Sequence, residues 1–153
     1  CIRDSIRSGA SEISVTESDK IIVLSTGGWS GNAVLYKVDF LSMSIEDSIE
    51  VEETLYSLEV SDSLIWAGSW SGNLYTFSLS PLDLLETEAL STSINSILWD
   101  SDRSTLWITA GGYSEGPNYL IKFKEGKREE ILLSDSDIGV GYLTVYETTM
   151  PQE

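Results

Sequence analysis

A chain of 153 residues with 25 acidic and 9 basic side chains, net charge −16, is long enough to bury one ordinary core, and its field repels nucleic acid and anionic membranes. It holds one cysteine, Cys1, and no histidine, which excludes an internal disulfide, a Ser-His-Asp or Cys-His site and any His-containing zinc site within this chain. An apolar fraction of 41% with five Trp belongs to a folded protein, and no apolar run approaches the ~20 residues needed to span a bilayer.

The predicted elements run in a repeating order. Residues 2–6 read as a strand left over from a preceding unit. Ile13-Ser14-Val15 alternates, then meets the turn Glu17-Ser18-Asp19-Lys20. The apolar run Ile21-Ile22-Val23-Leu24 follows, then Gly27-Gly28-Trp29-Ser30-Gly31-Asn32, then a strand over Val34 to Val38 and another over Ile45 to Val51. The second block repeats this order: Leu55 to Val60, a turn at Ser61-Asp62-Ser63, Leu64-Ile65-Trp66-Ala67, the turn Gly68-Ser69-Trp70-Ser71-Gly72-Asn73, Leu74 to Leu79 and Leu84 to Leu90. Leu79 to Leu90 is the best helical candidate in the chain, but its apolar spacing fits neither period well, and its place in the block assigns it to an outer strand. The third block has Ile94 to Trp99, the turn Asp100-Ser101-Asp102-Arg103, Leu106 to Ala110, the turn Gly111-Gly112-Tyr113-Ser114 running on to Asn118, Tyr119 to Phe123, and Ile131-Leu132-Leu133 after Glu125-Gly126-Lys127. Residues 138–147 read as the first strand of a following unit.

Trp29 and Trp70 are 41 residues apart, and Trp70 and Tyr113 are 43 apart. A period in the low forties, with four short strands in each unit, is that of propeller blades. The second strand of each block is apolar nearly throughout, as a strand covered on both faces must be. The fourth carries charge, as at Glu46-Asp47 and Glu129-Glu130, and is expected to meet solvent. The turn glycines are expected to supply positive φ between the second and third strands.

On these residues the chain resembles the β-propeller repeat families, WD40-like and quinoprotein-like (PQQ-type). The stretch Ala67-Gly68-Ser69-Trp70-Ser71-Gly72-Asn73-Leu74-Tyr75-Thr76-Phe77 carries most of the likeness. The Trp-Asp pair of WD40 repeats is replaced by Val38-Asp39, Phe77-Ser78 and Phe123-Lys124, and Trp99-Asp100 closes a first strand instead. The resemblance implies an all-β fold of four-stranded antiparallel blades. The whole chain, 1–153, reads as a single propeller arc, with blades at about 12–51, 52–90 and 91–134 and partial strands at 2–6 and 138–147. Three blades do not close a ring. Completion by further blades, by other protein chains or by a homo-oligomer is therefore expected.

Candidate chemistry is sparse. Cys1 with a free α-amine has the makings of an N-terminal nucleophile, with Arg3 and Asp4 nearby, but the helices of that fold are missing from the pattern. Asp135, Asp137 and the backbone near Gly139 offer oxygens to calcium without the third carboxylate of a full loop, and Asp100-Ser101-Asp102 shares the ambiguity. Asp19, Asp62 and Asp100 recur at one turn phase, which favours turn-forming hydrogen bonds. No enzyme activity and no cofactor are expected. The residues singled out for a ligand or partner are Trp29, Trp70 and Tyr113, with Asn32, Asn73 and Asn118 beside them. The aromatics are either packing plugs or a ring available to stack on a sugar, a peptide or a partner loop. The function expected is a protein-interaction module. The alternative is a secreted or lipid-anchored propeller binding a small ligand or glycan, because Cys1 is what remains after lipoprotein maturation. The cytoplasm is the compartment expected otherwise.

Overall fold

In a computed structural model, residues 9–16, 18–28, 31–90, 92–112 and 117–134 are described. Cys1, Trp29, Tyr113, Asp135, Asp137 and the partial strands at 2–6 and 138–147 lie outside them.

The described residues form twelve strands in three four-stranded antiparallel sheets. The first sheet orders β1 (Ala10–Val15), β2 (Lys20–Ser25), β3 (Ala33–Asp39) and β4 (Ser44–Val51). The second orders β5 (Leu55–Val60), β6 (Leu64–Ser69), β7 (Asn73–Leu79) and β8 (Leu82–Ala89). The third orders β9 (Ile94–Asp100), β10 (Thr105–Gly111), β11 (Asn118–Lys124) and β12 (Lys127–Ser134). Each sheet is one blade, and chain order equals sheet order. The segment over Leu79 to Leu90 is strand: it ends β7 and forms β8.

Burial explains the apolar second strands. In β2 and β6 every residue after the first is buried, and β10 is buried at all but one position. Their side chains point alternately to two faces, and both are covered. In blade 2, Ile65 pairs with Phe77 and Ala67 with Tyr75; Ile65, Ala67 and Phe77, with Leu55 of the same blade, pack toward blade 1 against Ile22, Leu24 and Leu35. Trp66 and Leu74 point the other way and join Ile94, Ile97, Leu106, Ile108 and Ile121 of blade 3. A one-residue slip in β6 would exchange these two sets. Trp66 and Trp99 stack across the gap between blades 2 and 3, with ring centroids 5.1 Å apart.

The first strands define the axis. β1 packs beside β5 and β5 beside β9, and among the described residues no comparable contact joins β9 back to β1. The outer strands β4 and β8 meet more sparsely. Acidic side chains stud the outer strands at Glu46, Asp47, Glu86, Glu88, Glu129 and Glu130, a common guard against edge pairing.

Antiparallel order fixes what each end of the blades displays. Turns between first and second and between third and fourth strands lie at one end. Turns between second and third strands lie at the other, beside the links from blade to blade. At the first end, the side chains that cap the turn into the second strand are Thr16, Ser61 and Asp100. Thr16 Oγ1 accepts Lys20 N at 3.1 Å, Ser61 Oγ accepts Leu64 N at 3.0 Å, and Asp100 Oδ1 accepts Arg103 N at 3.1 Å. The expected turn hydrogen bond is thus found on an aspartate in blade 3 and on hydroxyls in blades 1 and 2. Asp100 also holds the Arg103 guanidinium at 2.8 Å, which keeps its carboxyl below the usual range.

Candidate functional site: the end that carries the Gly-rich turns

The turn of blade 2 is built around Ser69 and Gly72. Ser69 Oγ accepts Asn73 N at 2.9 Å and meets Ser71 Oγ at 3.0 Å. Gly72 has φ +89°, and a Cβ there would lie 2.6 Å from Thr92 O, in the link to blade 3. Leu90 N donates to Gly72 O at 2.7 Å, so the turn and the link are sewn together. Gly68 works differently. It has no positive φ, but a Cβ there would lie 2.4 Å from both Ile94 Cγ2 and Ser57 Oγ. The expectation that turn glycines supply positive φ therefore holds at Gly72, whereas Gly68 is glycine because Ser57 of its own blade and Ile94 of blade 3 both crowd it.

Glu53, in the link between blades 1 and 2, ties the same turn from the other side. Its carboxylate accepts Asn73 Nδ2 at 3.0 Å, the Tyr75 hydroxyl at 2.5 Å and the Ser71 hydroxyl. Its own carbonyl accepts Ala33 N at 2.9 Å. Partial burial pushes the Glu53 carboxyl up, but the donors Ser71, Tyr75, Asn73 and Ser69 together outweigh this, and it titrates below the ordinary glutamate range. Burial, and then Glu53, push the Tyr75 phenol up to about 12.

The turn held in this way presents Trp70, which is 48% exposed. Its ring stacks on Tyr56 from β5, centroids 4.7 Å apart and planes at 29°. Ser93 Oγ donates to Trp70 O at 2.6 Å. Together with Gly9, Ala10, Thr26 and Gly28 of blade 1, the two rings line a mainly apolar groove of about 330 Å3. Of the six residues singled out from the sequence, Trp70 lies in this groove. Asn73 is engaged by Glu53. Asn32 donates to Glu50 Oε1 at 2.8 Å on blade 1. Asn118 is buried at the start of β11, where a Cβ on Gly111 would lie 2.1 Å from its Oδ1. Trp29 and Tyr113 fall outside the described residues.

Sequence reasoning did not single out Tyr56 or Glu53. Glu53 lies in the link from blade 1 to blade 2 and Tyr56 in β5, and neither recurs at the same phase of another block, so the repeat did not mark them. Among the described residues no three acidic or thiol side chains gather as a metal-holding group.

Three four-stranded sheets fanned about their first strands make this chain an arc of β-propeller blades. Solved structures share the architecture. The β-propeller domain of Cps50 (Swd1), under the source name Myceliophteria thermophila, is similar with a TM-score of 0.62 and 13% identity, over 84% of this chain and 40% of that one. Sqt1 of Saccharomyces cerevisiae is similar with a TM-score of 0.68 and 16% identity, over 98% and 42%. Nup159, in a Saccharomyces cerevisiae assembly with Dbp5 and Gle1, is similar with a TM-score of 0.53 and 11% identity, over 79% and 36%. This chain thus spans about two fifths of the length of these proteins. No family model matches it, and no curated protein matches it in sequence.

Proposed function

We propose that this chain is a non-catalytic interaction module, an arc whose ring is finished by further blades or by other chains, a homo-oligomer among them. The observation that carries the reading is the open fan: β1, β5 and β9 pack in series, and among the described residues no comparable contact returns from β9 to β1. An open fan leaves terminal blade faces and strand edges for something to cover. The blade limits near 51 and 90 fall in the links held by Glu53 and by Gly72, which fits a chain divided at about 12–51, 52–90 and 91–134. The bound partners of Nup159 give a precedent, in a protein of similar fold, for work done by holding other chains. Native mass spectrometry tests the proposal. Assemblies of two or more copies, or complexes with another blade-bearing chain, are expected. A stable lone chain would count against it.

The alternative, a propeller that binds a small ligand or glycan, is favoured by one feature, the Trp70–Tyr56 stack in its apolar groove. Sugars pack on such ring faces. On this reading Trp70 meets the ligand, with Trp29 and Tyr113 at the corresponding turns, and Asn32, Asn73 and Asn118 hold the turns that present them. A glycan array separates the two, since a pure protein scaffold leaves it blank.

A further inference from the structure

The turn between β3 and β4 displays three large apolar side chains to solvent. Leu41 is 82% exposed, Met43 52% and Phe40 50%. Grouped exposure of this kind costs a soluble protein unless something covers it. At the same phase blade 2 has Ser80-Pro81 and blade 3 has Glu125-Gly126. The apolar tip is thus peculiar to blade 1 and owes nothing to the repeat.

The tip is also held in one shape before anything binds. Asp39 Oδ1 accepts both Ser42 N and Ser42 Oγ at 2.8 Å, and Met43 N donates to Asp39 O at 2.9 Å. Phe40 N donates to Asp19 O at 3.1 Å, and Ser42 Oγ meets Ser44 Oγ at 2.8 Å. Met43 takes φ +53°, a strained value for a long side chain, so this conformation is imposed by its surroundings. A pre-shaped tip loses little freedom on docking.

Its collar is acidic. Asp39 and Glu46 share Lys20, at 2.8 and 2.6 Å, so two carboxylates hold one ammonium, and Asp19, whose backbone carbonyl accepts Phe40 N, adds a third acidic residue beside the tip. A second copy would bring the same collar and another −16 of charge. An anionic bilayer is repelled for the same reason. Ring closure does not use the tip either, because blades meet through sheet faces and this turn stands at the end of the outer strands. We propose that Phe40, Leu41 and Met43 form a docking knob for a basic amphipathic segment of a partner protein, whose apolar stripe covers the knob while its Lys or Arg side chains meet Asp19, Asp39 and Glu46.

The test uses two dye-labelled helical peptides, each with a leucine stripe, one flanked by lysine and the other by glutamate. Fluorescence anisotropy is read on the full chain and on Phe40→Ser/Leu41→Ser. Both side chains are half-exposed or more, and an unchanged melting curve verifies the variant's fold. The lysine peptide is expected to bind the native chain and to lose roughly tenfold or more in affinity on the variant. The glutamate peptide is expected to bind about tenfold more weakly than the lysine peptide, a gap that narrows with salt. No binding, equal binding of the two peptides, or binding indifferent to the substitutions would overturn the proposal. So would self-association, or adhesion to zwitterionic phosphatidylcholine vesicles, that the substitutions abolish while the lysine peptide stays unbound.

Discussion

Tyr75 donates a hydrogen bond from its hydroxyl to the Glu53 carboxylate at 2.5 Å, and through this contact the third strand of blade 2 grips the link that leaves blade 1. The same carboxylate holds Asn73 and Ser71, so one side chain orders the turn that carries Trp70. Replacing Glu53 with Gln removes the charge that strengthens these bonds. A loss of about 1–2 kcal/mol is expected in urea unfolding at neutral pH.

The sign of the pH dependence follows. A carboxyl whose folded value lies below its unfolded one adds stability above the unfolded value and loses it as pH falls through the folded one. Glu53, Asp39, Asp100 and Glu129 all shift this way, through Ser71, Tyr75 and Asn73, through Lys20, through Arg103 and through Lys122 respectively. Stability is therefore expected to fall on acidification from the ordinary carboxylate range downward, with a smaller fall in Glu53→Gln. At the alkaline end the raised Tyr75 phenol has the opposite sense. Its contribution is present below pH ~10 and is lost as pH rises toward about 12. Melting curves across pH check both limbs.

Two glycines in the corresponding turns of blades 1 and 2 separate strain from crowding. Gly28 has φ +80° and open space around a would-be Cβ, whereas Gly72 has φ +89° and the Thr92 backbone at 2.6 Å. Gly28→Ala is expected to cost about 1–2 kcal/mol, the penalty of a left-handed backbone alone. Gly72→Ala must also move the link to blade 3 and is expected to cost more. Equal effects would show that the link yields freely.

Trp70 and Phe77 lie seven positions apart in the chain and are expected to behave oppositely. Phe77 is fully buried between blades 1 and 2, and Phe77→Ala is expected to cost about 3–5 kcal/mol. Trp70 is half-exposed on Tyr56, and Trp70→Ala removes little beyond one aromatic pair, about 0.5–1.5 kcal/mol. A small change in melting temperature with loss of partner or glycan binding fits a platform. A loss as large as that of Phe77→Ala would make Trp70 a packing plug.

The blade pattern was legible because burial on two faces forces an unbroken apolar second strand, as in Ile21 to Leu24, Leu64 to Ala67 and Leu106 to Ala110, and because the turns keep their phase. Even the ragged Leu79 to Leu90 segment resolved correctly by position. The site was only partly legible. Trp70 stood out by recurring with Trp29 and Tyr113. Its support did not, since Glu53 lies in the link between blades and Tyr56 in β5, each without a counterpart at its phase, and repetition marks only what recurs. The three recurring asparagines looked equivalent, yet each has its own surroundings: Glu50 for Asn32, Glu53 for Asn73, and a buried place against Gly111 for Asn118. The Phe40–Met43 tip went unremarked for the same reason, since it belongs to no repeat.

Electron-microscopy averages viewed along the axis of β1, β5 and β9 test the central claim most directly. Closed rings around a central channel are expected, with blades from this chain filling one arc and the remainder coming from other copies or other chains. Homogeneous particles holding this chain alone, in which blade 3 folds back to cover blade 1, would contradict it.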